Sequence, residues 1–183
     1  FDYLTALDTV RPVSYSLTYT GAEWRINFER LEAAIGPRSR AVVVVSPHNP
    51  TGACLSAAEN RRLQALCAER NLALIVDEVF ADYASEPPAP PRDLSALTFY
   101  LNGLSKVAGL PQVKLGWALA AGPAALVAEG LARLEFVSDT YLSASAAAQH
   151  AAPALLAGRA AIQTRIRERL EANYAWLRDQ APE

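Results

Sequence analysis

Methionine is absent from all 183 residues, and the chain begins with Phe1. Because phenylalanine is a poor residue to be left behind when an initiator methionine is removed, we expect the chain to be a piece of a longer protein. No apolar run approaches the ~20 residues that a membrane-spanning helix needs. The start, FDYLTALDTV, lacks the basic stretch of a signal peptide. We therefore expect neither a membrane span nor an export signal in this sequence.

An excess of one charge is also lacking, since 17 basic and 19 acidic residues give a formal net charge of −2. No basic block stands out, so we expect neither nucleic acid nor an anionic membrane as a partner. The only cysteines, Cys54 and Cys67, have no cluster of Cys or His around them. This pattern predicts neither a metal site nor a disulfide framework. We expect both to be small buried apolar residues in a protein of the reducing cytoplasm.

Three short apolar runs predict the buried strands of an α/β fold. The runs AVVVVS (41–46), LALIVDE (72–78) and LTFYLNG (97–103) are continuous rather than alternating, as in strands that are buried on both faces. Between the first two, Ser56 and Glu59 have the spacing of a helical capping box. A helix between two strands predicts that they pair in parallel through a right-handed crossover.

The segment after the third run predicts one strand of opposite direction. Only ten residues, 104–113, lead to the apolar stretch KLGWALAA (114–121), whereas a parallel crossover needs a dozen or more. This strand should therefore run antiparallel to its neighbour. Together the runs predict a three-layer α/β/α fold with a mostly parallel sheet and one antiparallel strand.

The remaining segments predict helices and loops around this sheet. RPVSYSLTY (11–19) is expected to be extended, and NFERLEAAIG (27–36) to be a short helix that ends at its final glycine. The proline-rich SEPPAPPRD (85–93) predicts a loop. Further helices are predicted from Pro123 onward, in an alanine-rich stretch with a break near Pro153, and in a long amphipathic segment at the end of the chain.

Polar side chains follow each of the three predicted parallel strands. Asn49 lies in a turn after the first strand, Asp77 ends the second, and Lys106 follows the third. Alone, these residues have ordinary interpretations as a turn residue, a cap and a solvated lysine. Because open α/β sheets bind ligands at the carboxyl ends of their strands, we expect the three to converge. An amine that forms a Schiff base, a carboxylate that keeps a ring nitrogen protonated and an amide that bonds a ring oxygen suit an aromatic, carbonyl-bearing cofactor.

Three motifs in register resemble one enzyme family. SPHNPTG (46–52), DEVFADY (77–83) and LSKVAGLPQVKLGW (104–117) are together similar to the fold-type I pyridoxal-phosphate enzymes of the class I/II aminotransferase family. The resemblance covers essentially the whole chain. It implies an incomplete version of that family's large-domain fold, pyridoxal 5′-phosphate as the cofactor, and a homodimer. It also implies amino-group transfer between an amino acid and a 2-oxo acid.

The resemblance implies a role for each matched residue. Lys106 resembles the catalytic lysine that forms the Schiff base and later moves a proton at the substrate's Cα. Asp77 resembles the acid that pairs with the pyridine nitrogen, and Asn49 the amide that bonds the ring's 3-oxygen. Val79 would lie against one ring face. His48 is expected to be a turn residue near the pocket.

Three positions depart from the family's pattern. Phe80 stands where the family often has a tyrosine, so the ring's 3-oxygen is bonded by the amide alone or with help from Tyr83. Gly103 replaces a phosphate-binding serine, which leaves Ser105 as a weak substitute or a structural residue. Lys114 replaces an arginine that clamps the phosphate, so the charge is kept and the bidentate fork is lost. We count Phe80, Ser105 and Lys114 with the cofactor-binding residues.

The family's chains are longer than this one. By resemblance, residues 1–158 form part of the cofactor-binding large domain, and residues 159–183 form a helix that leads toward a small C-terminal domain. Part of the phosphate site would precede Phe1, and the arginine that grips the substrate carboxylate would follow Glu183. We therefore expect the chain by itself to have little or no transaminase activity.

Other functions fit parts of the same pattern. A β-lyase or decarboxylase relative would use the same lysine, acid and amide. A non-catalytic, aminotransferase-like effector domain of a transcription regulator would share the fold. An α/β nucleotide-binding domain is disfavoured, because neither a GxGxxG pattern nor a P-loop follows a strand.

Overall fold

A computed structural model of the chain divides it into two compact units, Phe1–Arg40 and Ala41–Glu183. The residues that the structure describes are 5, 8–84, 94–141 and 144–180. The loop predicted over 85–93 lies outside the described residues.

The first unit contains a two-stranded hairpin and a short helix. Strand β1 (Leu17–Tyr19) pairs antiparallel with β2 (Trp24–Ile26), and helix α1 (Phe28–Ala34) follows. Strand β1 falls in the segment predicted to be extended, and α1 in the segment predicted to be helical. Strand β2 was not predicted, because three residues with a central arginine give no recognisable periodicity. The turn between the strands uses Gly21 at φ +93°, a conformation that favours glycine.

The second unit is built on a four-stranded sheet in the order β3-β4-β5-β6. Its first three strands are parallel and the fourth runs antiparallel to the third. The direction of every strand agrees with the prediction. The strands are β3 (Ala41–Val45), β4 (Ala73–Asp77), β5 (Thr98–Gly103) and β6 (Gly116–Ala121).

Five helices and two 3₁₀ turns accompany this sheet in the described residues. The capping box of Ser56 and Glu59 is confirmed at the start of the first of these helices. The predicted helix break near Pro153 is wrong. Pro153 cannot donate the N–H that would bond four residues back, yet the helix continues on both sides of it. The helices are α2 (Ala57–Glu69), α3 (Leu104–Val107), α4 (Ala124–Tyr141), α5 (Ala146–Ala157) and α6 (Arg159–Gln180), and the 3₁₀ turns are Ala81–Tyr83 and Pro111–Val113.

Helices cover both faces of the sheet. Gln64 of α2 donates a hydrogen bond to the Thr98 hydroxyl (2.8 Å). Gly130 of α4 lies so close to Phe99 that an added Cβ would be 3.2 Å from the phenyl ring. Because successive residues of a strand point to opposite faces, α2 and α4 lie on opposite sides of β5. The second unit is therefore the predicted three-layer α/β/α arrangement.

The apolar stripe predicted for the long helix α6 is only partly covered. Leu170, Tyr174 and Leu177 belong to the predicted apolar stripe, yet all three are exposed. The buried residue on this helix is polar: Gln163 is 6% exposed. Among the described residues, no helix has both the length and the apolar character needed to cross a membrane.

Candidate active site

The three parallel strands end at one edge of the sheet. Val45, Asp77 and Leu101 are register partners across β3, β4 and β5. Asp77 therefore lies at the carboxyl edge between its two neighbouring strands. Asn49 follows four residues after the end of β3 and Lys106 three residues after the end of β5. All three segments leave the sheet at this edge.

Lys106 lies on α3, the single helical turn that follows β5. Leu104 and Val107 anchor this turn by burial, while Lys106 is exposed. Its Nζ lies 5.6 Å from the centroid of the Phe80 ring, within the range of a cation–π contact. In the described part of the chain no carboxylate pairs with this amine. The Tyr83 hydroxyl donates its proton in a hydrogen bond to the backbone carbonyl of Lys106 (2.7 Å), so this proton is not available to a ligand.

Asp77 is half-buried and uses one of its two carboxylate oxygens within the protein. Oδ1 accepts the backbone N–H of Val79 (3.2 Å), and the Asp77 carbonyl accepts the N–H of Ser46 (2.9 Å). Oδ2 has no hydrogen-bond partner among the described residues. One carboxylate oxygen is thus available to a ligand at the strand end. Val79 and Phe80 follow two and three residues after Asp77 and are also half-buried.

Asn49 lies in a tightly bonded loop after β3. His48 shapes the loop, because its N–H donates to the Ala53 carbonyl (2.8 Å) and its carbonyl accepts from Gly52 (2.7 Å). The Nδ1 atom of His48 is 2.8 Å from the Thr51 hydroxyl. The side chain of Asn49 is exposed and makes no hydrogen bond to any residue that the structure describes. The structure shows no hydrogen bond from the Asn49 side chain to Asp77 or Lys106.

The two departures at the expected phosphate site, Gly103 and Lys114, have different structural settings, as does Ser105. An added Cβ at Gly103 would lie 2.9 Å from the Leu115 carbonyl oxygen and 3.1 Å from the Cα of Gly116. No side chain fits there without displacing β6, which gives a physical reason for glycine in place of serine. Ser105 is half-buried on α3, and Lys114 is exposed at φ +53° after the second 3₁₀ turn. No hydrogen bond links Lys114 to the rest of the site in the described residues.

A second pair of polar residues, Glu78 and Tyr100, lies on the face of the sheet opposite to that of Asp77. The sequence analysis did not predict this pair. Val76 and Tyr100 are register partners, and Glu78 shares their face because it lies two residues after Val76. Burial raises the pKa of Glu78. The Tyr100 hydroxyl is buried without a partner among the described residues. Burial and, secondly, the charge of Glu78 raise the pKa of Tyr100 to about 12.

The fold and this edge define the class of protein: it has the architecture of the pyridoxal-phosphate-dependent aminotransferases. The chain belongs to the family of class I and II aminotransferases, whose family model matches residues 4–181.

Curated relatives and solved structures agree with this assignment. The chain is 31% identical over 160 residues to the glutamate-pyruvate aminotransferase AlaA of Escherichia coli (strain K12), covering 84% of this chain and 38% of that protein. The solved structure of N-succinyldiaminopimelate aminotransferase from Mycobacterium tuberculosis superposes with a TM-score of 0.75 at 29% identity, covering 96% of this chain and 46% of that one. Alanine aminotransferase from Pyrococcus furiosus has the same fold, with a TM-score of 0.83 at 24% identity and coverages of 95% and 45%. The chain thus spans less than half the length of each of these proteins.

Proposed function

We propose that the whole protein is a pyridoxal 5′-phosphate-dependent aminotransferase, which moves an amino group between an amino acid and a 2-oxo acid. One observation carries the proposal: the exposed amine of Lys106 and the available carboxylate oxygen of Asp77 belong to segments that leave the same sheet edge. Both residues lie in a chain of the class I and II aminotransferase family. We propose that the chain by itself is inactive, because it spans 38% of the length of the E. coli relative.

The free donors and acceptors at this edge fit the cofactor. An aldehyde needs an amine that no carboxylate has already bound, and a protonated ring nitrogen needs a carboxylate oxygen. A ring oxygen needs an N–H donor. Lys106 Nζ, Asp77 Oδ2 and the Asn49 amide meet these needs, since none has a hydrogen-bond partner among the described residues. When bound, pyridoxal phosphate supplies the aldehyde and a cationic ring that stabilises negative charge on the substrate's Cα.

Each residue would have a defined role toward the cofactor. Lys106 would hold the cofactor through Nζ and, as a general base, would move the proton at the substrate's Cα. The charge of Asp77 would keep the ring nitrogen protonated. Asn49 would orient the ring by donating its side-chain N–H to the ring's 3-oxygen. Phe80, which contacts the lysine amine, would lie beside the ring. It carries no hydroxyl, and Tyr83 would not replace one because its proton is already donated.

Three further residues complete the proposed cofactor site. Val79 would pack against one face of the ring. Lys114 would hold the phosphate as a point charge, and Ser105 would add one hydroxyl. Without a bidentate guanidinium, Lys114 would hold the phosphate less rigidly than an arginine would.

The assembly and location of the whole protein are also proposals. Phe136 and Tyr141 on α4 are 76% and 69% exposed, which is unusual for large apolar side chains and supports a homodimer. The two cysteines are free thiols, which supports a reducing cytoplasm.

Product analysis of the whole protein tests the function. The protein is loaded with pyridoxal phosphate and given an amino acid and a 2-oxo acid. Transamination forms the new amino acid and the amino form of the cofactor, whereas a β-lyase releases ammonia and pyruvate. Lys106→Ala is the inactive control. Ammonia without a new amino acid, or no reaction with any amino acid, would contradict the proposal.

A further inference from the structure

We propose that Gln163 and Tyr83 are positioning residues, which fix the turn that carries Lys106 and thereby set how readily its amine reacts. The proposal rests on the function proposed above. The proposal concerns a buried glutamine and a tyrosine that we have not placed among the cofactor-binding residues. Both residues would hold helix α3 in place with or without a ligand, so hydrogen exchange can test this part without cofactor.

Gln163 joins helix α3, which carries Lys106, to the 3₁₀ turn Ala81–Tyr83 that follows β4. Its side chain is buried on α6, and its Nε2 group donates two hydrogen bonds. One reaches Oδ2 of Asp82 (2.6 Å), and the other reaches the carbonyl of Val107 (2.9 Å). A glutamine amide nitrogen has two protons, so both are used. Asp82 lies five residues after Asp77, and Val107 is the residue next to Lys106.

Two more hydrogen bonds connect the same three elements. The Tyr83 hydroxyl donates to the carbonyl of Lys106 (2.7 Å), and Nη2 of Arg167 donates to the carbonyl of Asp82 (2.7 Å). The 3₁₀ turn Ala81–Tyr83, helix α3 and helix α6 are therefore linked by four hydrogen bonds. We call this group, made of Asp82, Tyr83, Gln163 and Arg167, the lysine brace.

Helix α3 needs such support because it has only four residues. A helix of this length is not stable by itself, and the carbonyls of its last turn require partners outside the helix. The brace bonds the carbonyls of Lys106 and Val107, the two residues that set the direction of the lysine side chain. A shift of about 1 Å at a reacting group can cost 10²-fold in rate. Loosening the brace should therefore slow the reaction of the Lys106 amine.

A second buried glutamine provides a matched control. Gln64 is 2% exposed, donates to the Thr98 hydroxyl (2.8 Å) and accepts the N–H of Ala96 (3.0 Å). It joins a helix to the opposite end of β5, about 17 Å from the lysine end by strand rise. Gln64→Leu removes a buried amide with two hydrogen bonds, as Gln163→Leu does, without touching the brace.

The experiment compares Gln163→Leu, Tyr83→Phe and Gln64→Leu with the unchanged whole protein. The first measurement is the rate at which pyridoxal phosphate becomes attached to Lys106, trapped with borohydride and located by peptide mapping. We expect Gln163→Leu to slow attachment about tenfold, as the loss of two hydrogen bonds implies, and Tyr83→Phe to slow it less. We expect Gln64→Leu to leave the rate unchanged. The second measurement is amide hydrogen exchange of residues 104–108 without cofactor, which we expect Gln163→Leu to accelerate selectively.

The outcomes separate the two proposals. If the unchanged protein attaches no cofactor at Lys106, the proposed function fails, and hydrogen exchange alone decides on the brace. If Lys106 is labelled but Gln163→Leu matches Gln64→Leu in both measurements, the brace proposal is wrong. Should Gln163→Leu not fold, Tyr83→Phe removes a single hydroxyl, and an unchanged attachment rate together with unchanged exchange of residues 104–108 in that variant would overturn the proposal.

Discussion

The two ends of strand β5 contrast sharply in how their polar groups are bonded. At the amino end, Gln64, Thr98 and the N–H of Ala96 form a buried, uncharged network in which each member has a partner. At the carboxyl end, the Lys106 amine and one oxygen of Asp77 have no hydrogen-bond partner in the described residues. A closed network stabilises the fold, whereas open donors and acceptors at a strand end are typical of a binding site. Under the proposed function, the contrast would separate polar residues that stabilise the fold from those that take part in the reaction.

Removing the lysine amine should have the largest effect. We expect Lys106→Ala to lower transamination by the whole protein by about 10³-fold or more, because the proposed covalent attachment and the proposed proton transfer would both depend on Nζ. The free energy of unfolding should barely change, since Lys106 is exposed. Steady-state kinetics and urea denaturation measure the two quantities. A variant with full activity would place the chemistry elsewhere.

Neutralising the strand-end acid should have the next largest effect. Asp77→Asn keeps an oxygen that can accept the Val79 N–H, but it removes the charge that, in the proposed function, would favour a protonated ring nitrogen. We expect about a 10²- to 10³-fold loss of the maximal rate, the range seen when one electrostatic contact at a reacting centre is removed. Thermal unfolding should stay close to that of the unchanged protein. A loss of stability comparable to the loss of activity would show that Asp77 is mainly structural.

The amino end of β5 should respond in the opposite way. Gln64→Leu leaves the Ala96 N–H without its acceptor in a buried site, so we expect a loss of about 2 kcal/mol in the free energy of unfolding. Activity should be unchanged at a temperature where the protein remains folded. Urea denaturation and steady-state kinetics provide the comparison. A large kinetic effect would abolish the distinction between the two ends.

Glu78 should give the smallest effect, and that effect depends on pH. Burial raises its pKa above the ordinary 4.5, so the folded state binds this proton more tightly than the unfolded chain. Stability therefore falls as the pH rises from 4.5 through the raised pKa, and the loss persists above it. We expect Glu78→Gln to be more stable near pH 7 by under about 1 kcal/mol after solvent screening, and the gain to vanish below about pH 4.5.

The same substitution tests the link to Tyr100. Removing the charge of Glu78 should lower the pKa of Tyr100 from about 12, although burial, the larger cause, remains. Absorbance titration of the tyrosines, with Tyr100→Phe for assignment, measures the shift. An unchanged titration would show that the carboxylate does not act on this hydroxyl.

Much of the sheet could be predicted because its signals are local. The runs that became β3, β4 and β5 are continuous and apolar, the helix start at Ser56 carries its own capping box, and a short connection fixed the direction of β6. The strand-end positions of Asp77 and Lys106 followed from the same strands. The roles of the site residues stay predictions.

The brace could not be predicted because its contacts are distant in sequence. Gln163 bonds Asp82 across 81 residues, and nothing near Gln163 marks it as buried. Ile162 and Ile166 belong to the predicted apolar stripe of α6, so the pattern indicated that these apolar residues, rather than Gln163, would be buried. Likewise, the burial of the Tyr100 hydroxyl, which has no hydrogen-bond partner among the described residues, depends on which strands are adjacent, and no short segment shows this.

The most direct test of the account is the position of the covalent label in the whole protein. Pyridoxal phosphate is added, the product is reduced with borohydride, and the labelled peptide is mapped. This chain contains two lysines, Lys106 and Lys114, so the alternatives within it are few. The account predicts label on Lys106 and none on Lys114. Label on Lys114, or no label on either, would contradict it.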